Sequence, residues 1–340
     1  MKAAAALIGS IIVAGLLGTA PAPARVDSAT VQLGGRSYEL FRPAGLLQPT
    51  PLVVVLHGAG GTGKQLERSL GWDARAQANR FTVAYPNGVG RNWNAGLCCG
   101  QAARSNINDV GFIEQVVNDV STRTLIDRQH VFVTGMSNGA MMALRMVCQT
   151  ATFRGAASVA GTLVTSCPRQ ASVLQIHGTA DPNVHYNGSR GTGPNRVRGE
   201  AIQSVDAHFR QVDLCPPPQV TRKGAVVTST AVCPFGRVVQ LVTVEGMGHR
   251  WPGSTYQLPN AGPTTNAINA TDVLARLAAH VPEQPEVDGL RYHEGLNAVA
   301  IEGGLITPIV RTADQKGLST ISNEMKDLAG RGKEITTEYG

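Results

Sequence analysis

Lysine is scarce in this chain: between residues 25 and 282 only Lys64 and Lys223 occur. The positive charge there is scattered arginine with no basic run, which argues against a nucleic-acid surface and leaves a solvated, mildly basic one. Beyond the first 26 residues no stretch reaches the ~18 apolar residues that a membrane span needs. No C-x-x-C pair occurs and no histidines are spaced as co-ligands, so the sequence offers no metal site. The glycine-rich HGAGG of residues 57–61 is not followed by G-K-[ST], because Gln65 stands after Lys64, and this excludes a nucleotide P-loop. Internal repeats and low-complexity tracts are also missing.

What is there begins with a leader. MKAAAALIGSIIVAGLLGTAPAPARV has one lysine, an apolar run, and Ala22-Pro23-Ala24 ahead of Arg25. That pattern is a secretory signal over residues 1–24, cleaved near Ala24, so the mature protein is expected outside the cytoplasm with no stable membrane anchor. Export agrees with six cysteines, an even number suited to an oxidising compartment. Six cysteines allow 15 pairings. Proximity suggests Cys148 with Cys167 and Cys215 with Cys233, leaving Cys98 and Cys99 as an adjacent pair.

Composition breaks near residue 282. Residues 283–340 carry ten acidic and six basic side chains, whereas residues 1–282 carry 24 basic and 14 acidic. The chain therefore divides into the leader, a body over residues 25–282 and a tail over residues 283–340.

In the body, ATVQLGGRSYELFRP alternates as one half-buried strand. PLVVVLHGAGG is a β-branched run ending in glycines, the pattern of a strand buried on both faces. FTVAYPNG, HVFVTGMS, FRGAASVAG, ASVLQIHG and VVQLVTVEG are further strands. QLERSLGWDARAQANR, GFIEQVVNDVSTRTLI, NGAMMALRMVC, GEAIQSVDAHFRQ and ATDVLARLAAHV have helical spacing. Alternation of the two predicts an α/β fold: a mostly parallel sheet with helices on both faces. In such sheets functional groups gather beyond the carboxyl ends of the strands.

At one of those ends Gly135-Met136-Ser137-Asn138-Gly139 matches G-x-S-x-G between a predicted strand and a predicted helix. Glycines there permit a sharp turn that lifts a serine hydroxyl above the sheet, next to the free N–H groups opening the helix. A neutral serine needs a base, and the base needs an orienting acid. In chain order Ser137 is followed by Asp181, 44 residues on in QIHGTADPNV, and by His249, another 68 residues on in VEGMGHRWPG. Both lie just after predicted strands. His130 is at the wrong end of its strand, His208 and His280 are within helices, His293 is in the tail, and His185 is too close behind the acid. Asp109, the other candidate acid, precedes a helix, where an N-cap is the commoner use. For the oxyanion, the N–H of Asn138 is one natural donor and that of Ala59 or Gly60 in the glycine loop the other.

Together these residues resemble the secreted α/β-hydrolase esterases that include feruloyl esterases, acetylxylan esterases and poly(3-hydroxybutyrate) depolymerase-like proteins. The resemblance covers about residues 28–281 and rests on VVLHGAGG, YPNG, WNAGLCCG, NDVGF, TGMSNGAMMA, HGTADPNV and GHRWPG in that order. It implies an α/β-hydrolase fold, Ser137, Asp181 and His249 as a triad, and ester hydrolysis through an acyl-serine without metal or organic cofactor. One departure is Asn108-Asp109 where the family has Asp-Asp, a structural position. The tail, about residues 290–334, resembles an internal piece of a dihydrolipoamide acyltransferase catalytic domain. Half a domain cannot bury its own core, so the tail is expected to be an incomplete α+β fragment without activity, joined by fusion or assembly.

Substrate is less legible. Trp93 and Trp251 fall near the expected rim, where each either stacks on an aromatic acyl group or sugar or packs in the core. Feruloyl or acetyl esters of plant polysaccharide lead, polyhydroxyalkanoate oligomers come second, and an acyltransferase or a non-catalytic binding protein are the remaining alternatives.

Overall fold

The computed structural model describes residues 27–279 apart from 194 and 257, together with 298–300 and 306–308. The expected leader, His280 and His293 lie outside the described residues. The chain divides into two compact units, Met1–Val281 and Pro282–Gly340.

The first unit is built on one ten-stranded sheet. Its strands are β1 (Asp27–Leu33), β2 (Arg36–Arg42), β3 (Thr50–Leu56), β4 (Thr82–Pro86), β5 (Ile126–Met136), β6 (Gly155–Val159), β7 (Ser172–Gly178), β8 (Gln219–Lys223), β9 (Val226–Val232) and β10 (Val238–Val244). They lie in the order β1-β2-β4-β3-β5-β6-β7-β10-β9-β8. From β4 to β10 every neighbouring pair is parallel, and antiparallel hairpins close both edges.

Why the centre is parallel can be read on β3. Leu52, Val54 and Leu56 enter one core, with Ile113, Val116 and Val120 of helix α4 (Asp109–Arg123) and Phe209 of α6 (Ile202–Val212). Val53 and Val55 enter the other, with Leu66 of α1 (Gly63–Ser69), Trp72 and Ala76 of α2 (Trp72–Asn79) and Leu274 of α7 (Ala270–Ala279). A strand buried on both faces needs apolar residues at every position, which its β-branched run supplies. Helices α3 (Gly100–Arg104) and α5 (Asn138–Gln149) complete the set.

The fold is that of the α/β-hydrolases. Two local expectations are corrected and one hairpin is added. The stretch read as one strand is the β1–β2 hairpin, turned at Gly34-Gly35. The single helix read over QLERSLGWDARAQANR is two helices, broken at Gly71. Strands β8 and β9, which the sequence reading left unassigned, form a second hairpin; β8 is exposed throughout and so has no apolar alternation to show.

Disulfides join Cys148 to Cys167 and Cys215 to Cys233, across 19 and 18 residues. Loops of that length restrict the unfolded chain by about 3 kcal/mol each in the entropic account. Cys98 is bonded to Cys99. No helix among the described residues is long and apolar enough to cross a membrane. In the second unit the described residues form one antiparallel pair, β11 (Ala298–Ala300) with β12 (Ile306–Pro308).

Candidate active site

Strand β5 ends at Met136 and α5 begins at Asn138, so Ser137 stands alone at the corner. Its backbone has φ 56° and ψ −118°, a conformation that costs a non-glycine residue about 1–3 kcal/mol. The corner is held by the Ser137 N–H, which donates to the Val159 carbonyl of β6 at 2.9 Å. Its tightness explains both glycines of the motif. A Cβ on Gly135 would lie 2.6 Å from the Leu56 carbonyl oxygen, and one on Gly139 only 2.2 Å from it.

Asn138 is buried, and its side chain faces away from solvent chemistry. Its Oδ1 accepts from the Trp93 N–H at 2.7 Å and its Nδ2 donates to the Trp93 carbonyl at 2.9 Å. The residue after the serine thus grips the segment carrying Trp93 to Cys99. That segment is held from its other side by Asp109, whose Oδ2 accepts from Asn94 N–H at 2.7 Å and whose Oδ1 meets Arg36 at 2.8 Å. Asp109 is therefore a buried structural anchor, and the helix N-cap is its neighbour Asn108, which accepts from Gly111 N–H.

The two residues expected to act with Ser137 follow strands further along the sheet, with β6 lying between them and β5. Asp181 follows β7 and His249 follows β10, and both are 3% exposed. His249 Nδ1 lies 2.8 Å from Asp181 Oδ2. Oδ1 of Asp181 accepts the backbone N–H groups of Asn183 and Val184, each at 2.8 Å. Burial raises the proton affinity of Asp181, but hydrogen bonds from His177 and His249 outweigh it and hold the carboxyl well below the usual range. His249 is fixed by its own N–H to Ala261 O, while Arg250 turns away to the carbonyls of Gly262 and Leu258.

The glycine loop after β3 approaches the same corner: a Cβ on Gly58 would sit 3.4 Å from Ser137 Cβ. Of the two alternatives for the donor expected there, Gly60 is corrected. Its N–H is taken by the Arg91 carbonyl at 2.8 Å, because the loop folds over onto the segment after β4. Ala59 N–H has no hydrogen-bond partner among the described residues.

His57, which sequence reasoning did not rank, pins this loop. Its Nδ1 donates to Gly58 O at 2.8 Å and its Nε2 accepts the Gly88 N–H at 2.9 Å, which makes it a neutral imidazole. Burial lowers its pKa to about 4 from the usual 6.5. Between those values the unfolded chain binds the extra proton, so the contribution of His57 to stability is complete above 6.5 and falls toward pH 4. Asp73 acts oppositely in part of that window: burial raises it to about 6 despite a hydrogen bond from Tyr85. A comparison with His57→Gln isolates the histidine. From pH 7 to pH 4.5 the wild type should lose about 2–3 kcal/mol more than the variant in denaturant titrations; parallel losses would contradict a neutral, buried His57.

The tryptophans are also corrected. Trp93 is fully buried, with its Nε1 donating to His57 O at 2.9 Å, and Trp251 is 2% exposed, with its Nε1 donating to Thr271 at 3.0 Å. Both rings find their apolar surroundings and polar partner inside the protein, so they pack the core and are closed to substrate. An exposed side chain follows Trp93 four residues on. Leu97, 89% exposed, borders a cavity of about 630 Å³ with Leu163, Val164, Thr165, Arg198 and Glu200. Both walls lead back to the serine: Asn138 grips the Trp93 segment, and a Cβ on Gly161 would lie 3.1 Å from Ser137 O.

His177 was missed too, although it opens the quoted HGTADPNV. The signal was its i, i+4 spacing to Asp181 across the strand end; its Nε2 lies 3.3 Å from Asp181 Oδ2. Among the described residues no group of three or more histidine, cysteine or carboxylate side chains is placed to hold a metal ion. The structure thus sets a strained serine corner and an imidazole backed by a buried carboxylate on one rim of the sheet, the groups from which nucleophilic catalysis is built.

Residues 36–179 match the family described as Esterase PHB depolymerase, and residues 268–339 match the catalytic domain of 2-oxoacid dehydrogenase acyltransferases. A putative esterase, NocK, of Nocardia uniformis subsp. tsuyamanensis is 31% identical over 266 residues, covering 70% of this chain and 77% of the relative. Feruloyl esterase C of Emericella nidulans is 30% identical over 187 residues, 52% of this chain and 66% of its own length. In shape, an acetyl xylan esterase from Aspergillus awamori superposes with a TM-score of 0.52 at 17% identity, over 66% of this chain and 94% of that one.

Proposed function

The chain belongs to the Esterase PHB depolymerase family of carboxylic ester hydrolases, and from that premise we propose that it cleaves esters through an acyl-serine at Ser137. The observation that carries the reading is the buried Asp181–His249 pair on the same sheet rim as the strained serine corner. His249 takes the proton of Ser137 as its oxygen attacks the ester carbonyl, and returns it to the departing alcohol. Asp181 fixes the imidazole with its proton on Nδ1, which leaves Nε2 free as the base. The N–H groups of Asn138 and Ala59 receive the oxyanion. Water then repeats the sequence on the acyl-serine, releasing the acid.

For substrate, feruloyl or acetyl esters of plant polysaccharide come first. The naming of the relatives supports them, as does a rim cavity with an apolar wall formed by Leu97, Leu163 and Val164. Polyhydroxyalkanoate oligomers are the second reading, supported by the family description. In the first case Leu97→Ala should raise KM for methyl ferulate about 3–10-fold while leaving p-nitrophenyl acetate within about twofold, since only the larger acyl group reaches that wall. Equal effects on both esters would remove the cavity from substrate binding.

Residues 25–282 form the catalytic domain in this reading, and the protein works after export, which the disulfide-bonded state of all six cysteines supports. The deciding experiment is a hydrolysis panel of methyl ferulate, p-nitrophenyl acetate and hydroxybutyrate oligomers, with Ser137→Ala as blank. A chain ending at Val281 is run beside the full one and should match it in turnover. Ferulate turnover no faster than that of the blank would discard the first substrate class.

A further inference from the structure

His177 is the next-to-last residue of β7, is 1% exposed, and has no part in the steps above. Its Nε2 faces two acceptors, Val184 O at 2.9 Å and Asp181 Oδ2 at 3.3 Å. Both lack a proton to give, so this nitrogen carries one, hydrogen-bonded to Val184 O with Asp181 Oδ2 as its second, longer contact. Asp181 thus meets four donors: two backbone N–H groups on Oδ1, and two imidazoles on Oδ2. A residue needed only to close the Asp181–Val184 turn would be satisfied by Val184 alone. The second contact falls on the same oxygen that His249 uses, where two donors compete for one set of lone pairs.

We propose that His177 is a positioning residue for the ester hydrolysis: it clamps Asp181 to its turn and tempers the pull of the carboxylate on His249. Tempering matters because the base must be uncharged to work: an imidazolium cannot accept the serine proton. The proposal rests on the Ser137–His249–Asp181 reading. Other charged groups near the pair are engaged elsewhere. Arg250 holds carbonyls of its own loop, Asp206 on α6 pairs with Arg210, and His185 bonds Ser189. The Tyr186 ring stands edge-on to His177 at 6.0 Å, with its hydroxyl on Thr243.

The test is the pH profile of kcat/KM for p-nitrophenyl acetate in the full chain, in His177→Leu and in His177→Gln, with fluorophosphonate titration counting active sites. Leucine removes the donor, whereas the glutamine amide can restore it at the same reach. The leucine variant should show its acid limb moved up by about 0.5–1 pH unit, kcat lowered about tenfold and KM within about twofold. Glutamine should bring the acid limb back to within about 0.2 unit of wild type. An unmoved limb in the leucine variant, or equal shifts in both variants, would overturn the role. If leucine does not fold, His177→Met takes its place under the same criteria. Ser137→Ala, assayed alongside, separates the two failures: full activity there sinks the triad itself, whereas a lost activity with an unmoved limb sinks only His177.

Discussion

Replacing Ser137 by alanine is expected to lower kcat for ester hydrolysis by about 10³–10⁶-fold without loss of fold. The substitution removes a single oxygen. Alanine keeps the Cβ that already occupies this corner, and the backbone bond from residue 137 to Val159 O does not involve the side chain. The amides of Asn138 and Ala59 also remain, so some acceleration over water survives from oxyanion binding. Covalent labelling by a fluorophosphonate, read by mass spectrometry, should vanish together with turnover while circular dichroism is unchanged. A loss below about tenfold would mean that another nucleophile does the chemistry.

Asp181→Asn should cost about 10⁴-fold in kcat, and the reason lies in its four donors. Asparagine has only one acceptor oxygen. The backbone N–H groups of Asn183 and Val184, both 2.8 Å from Oδ1, cannot turn away and claim that oxygen. The NH₂ then faces His249 Nδ1, which must present a lone pair and move its proton to Nε2. An imidazole in that tautomer has no free nitrogen to accept the serine proton. Charge loss alone, with the tautomer kept, would cost far less, so a decrease of only about tenfold would show that His249 is oriented by something other than Asp181. Thermal melts of the variant control for the buried polar mismatch.

The framework was legible because the signals that make it are short-range. A doubly buried strand must be apolar at each position, and β3 shows this in TPLVVVL. The serine corner needs its glycines because the Leu56 carbonyl passes within 2.6 Å of where their Cβ atoms would be, and G-x-S-x-G writes that crowding into five residues. Asp181 and His249 could be chosen because each follows a strand whose carboxyl end faces the same rim. The hairpins at the two edges were harder. β8 carries no apolar face, and the Gly34-Gly35 turn interrupts an alternation that continues on either side of it.

By itself the sequence determined the parallel α/β architecture, the serine corner and the placement of Asp181 and His249 after their strands, since all of these follow from local periodicity and the position of residues at strand ends. Only the tertiary structure decided how individual donors are spent. It gave Gly60 N–H to Arg91, turned both tryptophans inward, made Asp109 an anchor for the Trp93 segment, and set His177 on the same carboxylate oxygen as His249. Those outcomes depend on which segments, remote in the chain, meet within about 3 Å, and hydrogen bonding is decided at that range and no longer one.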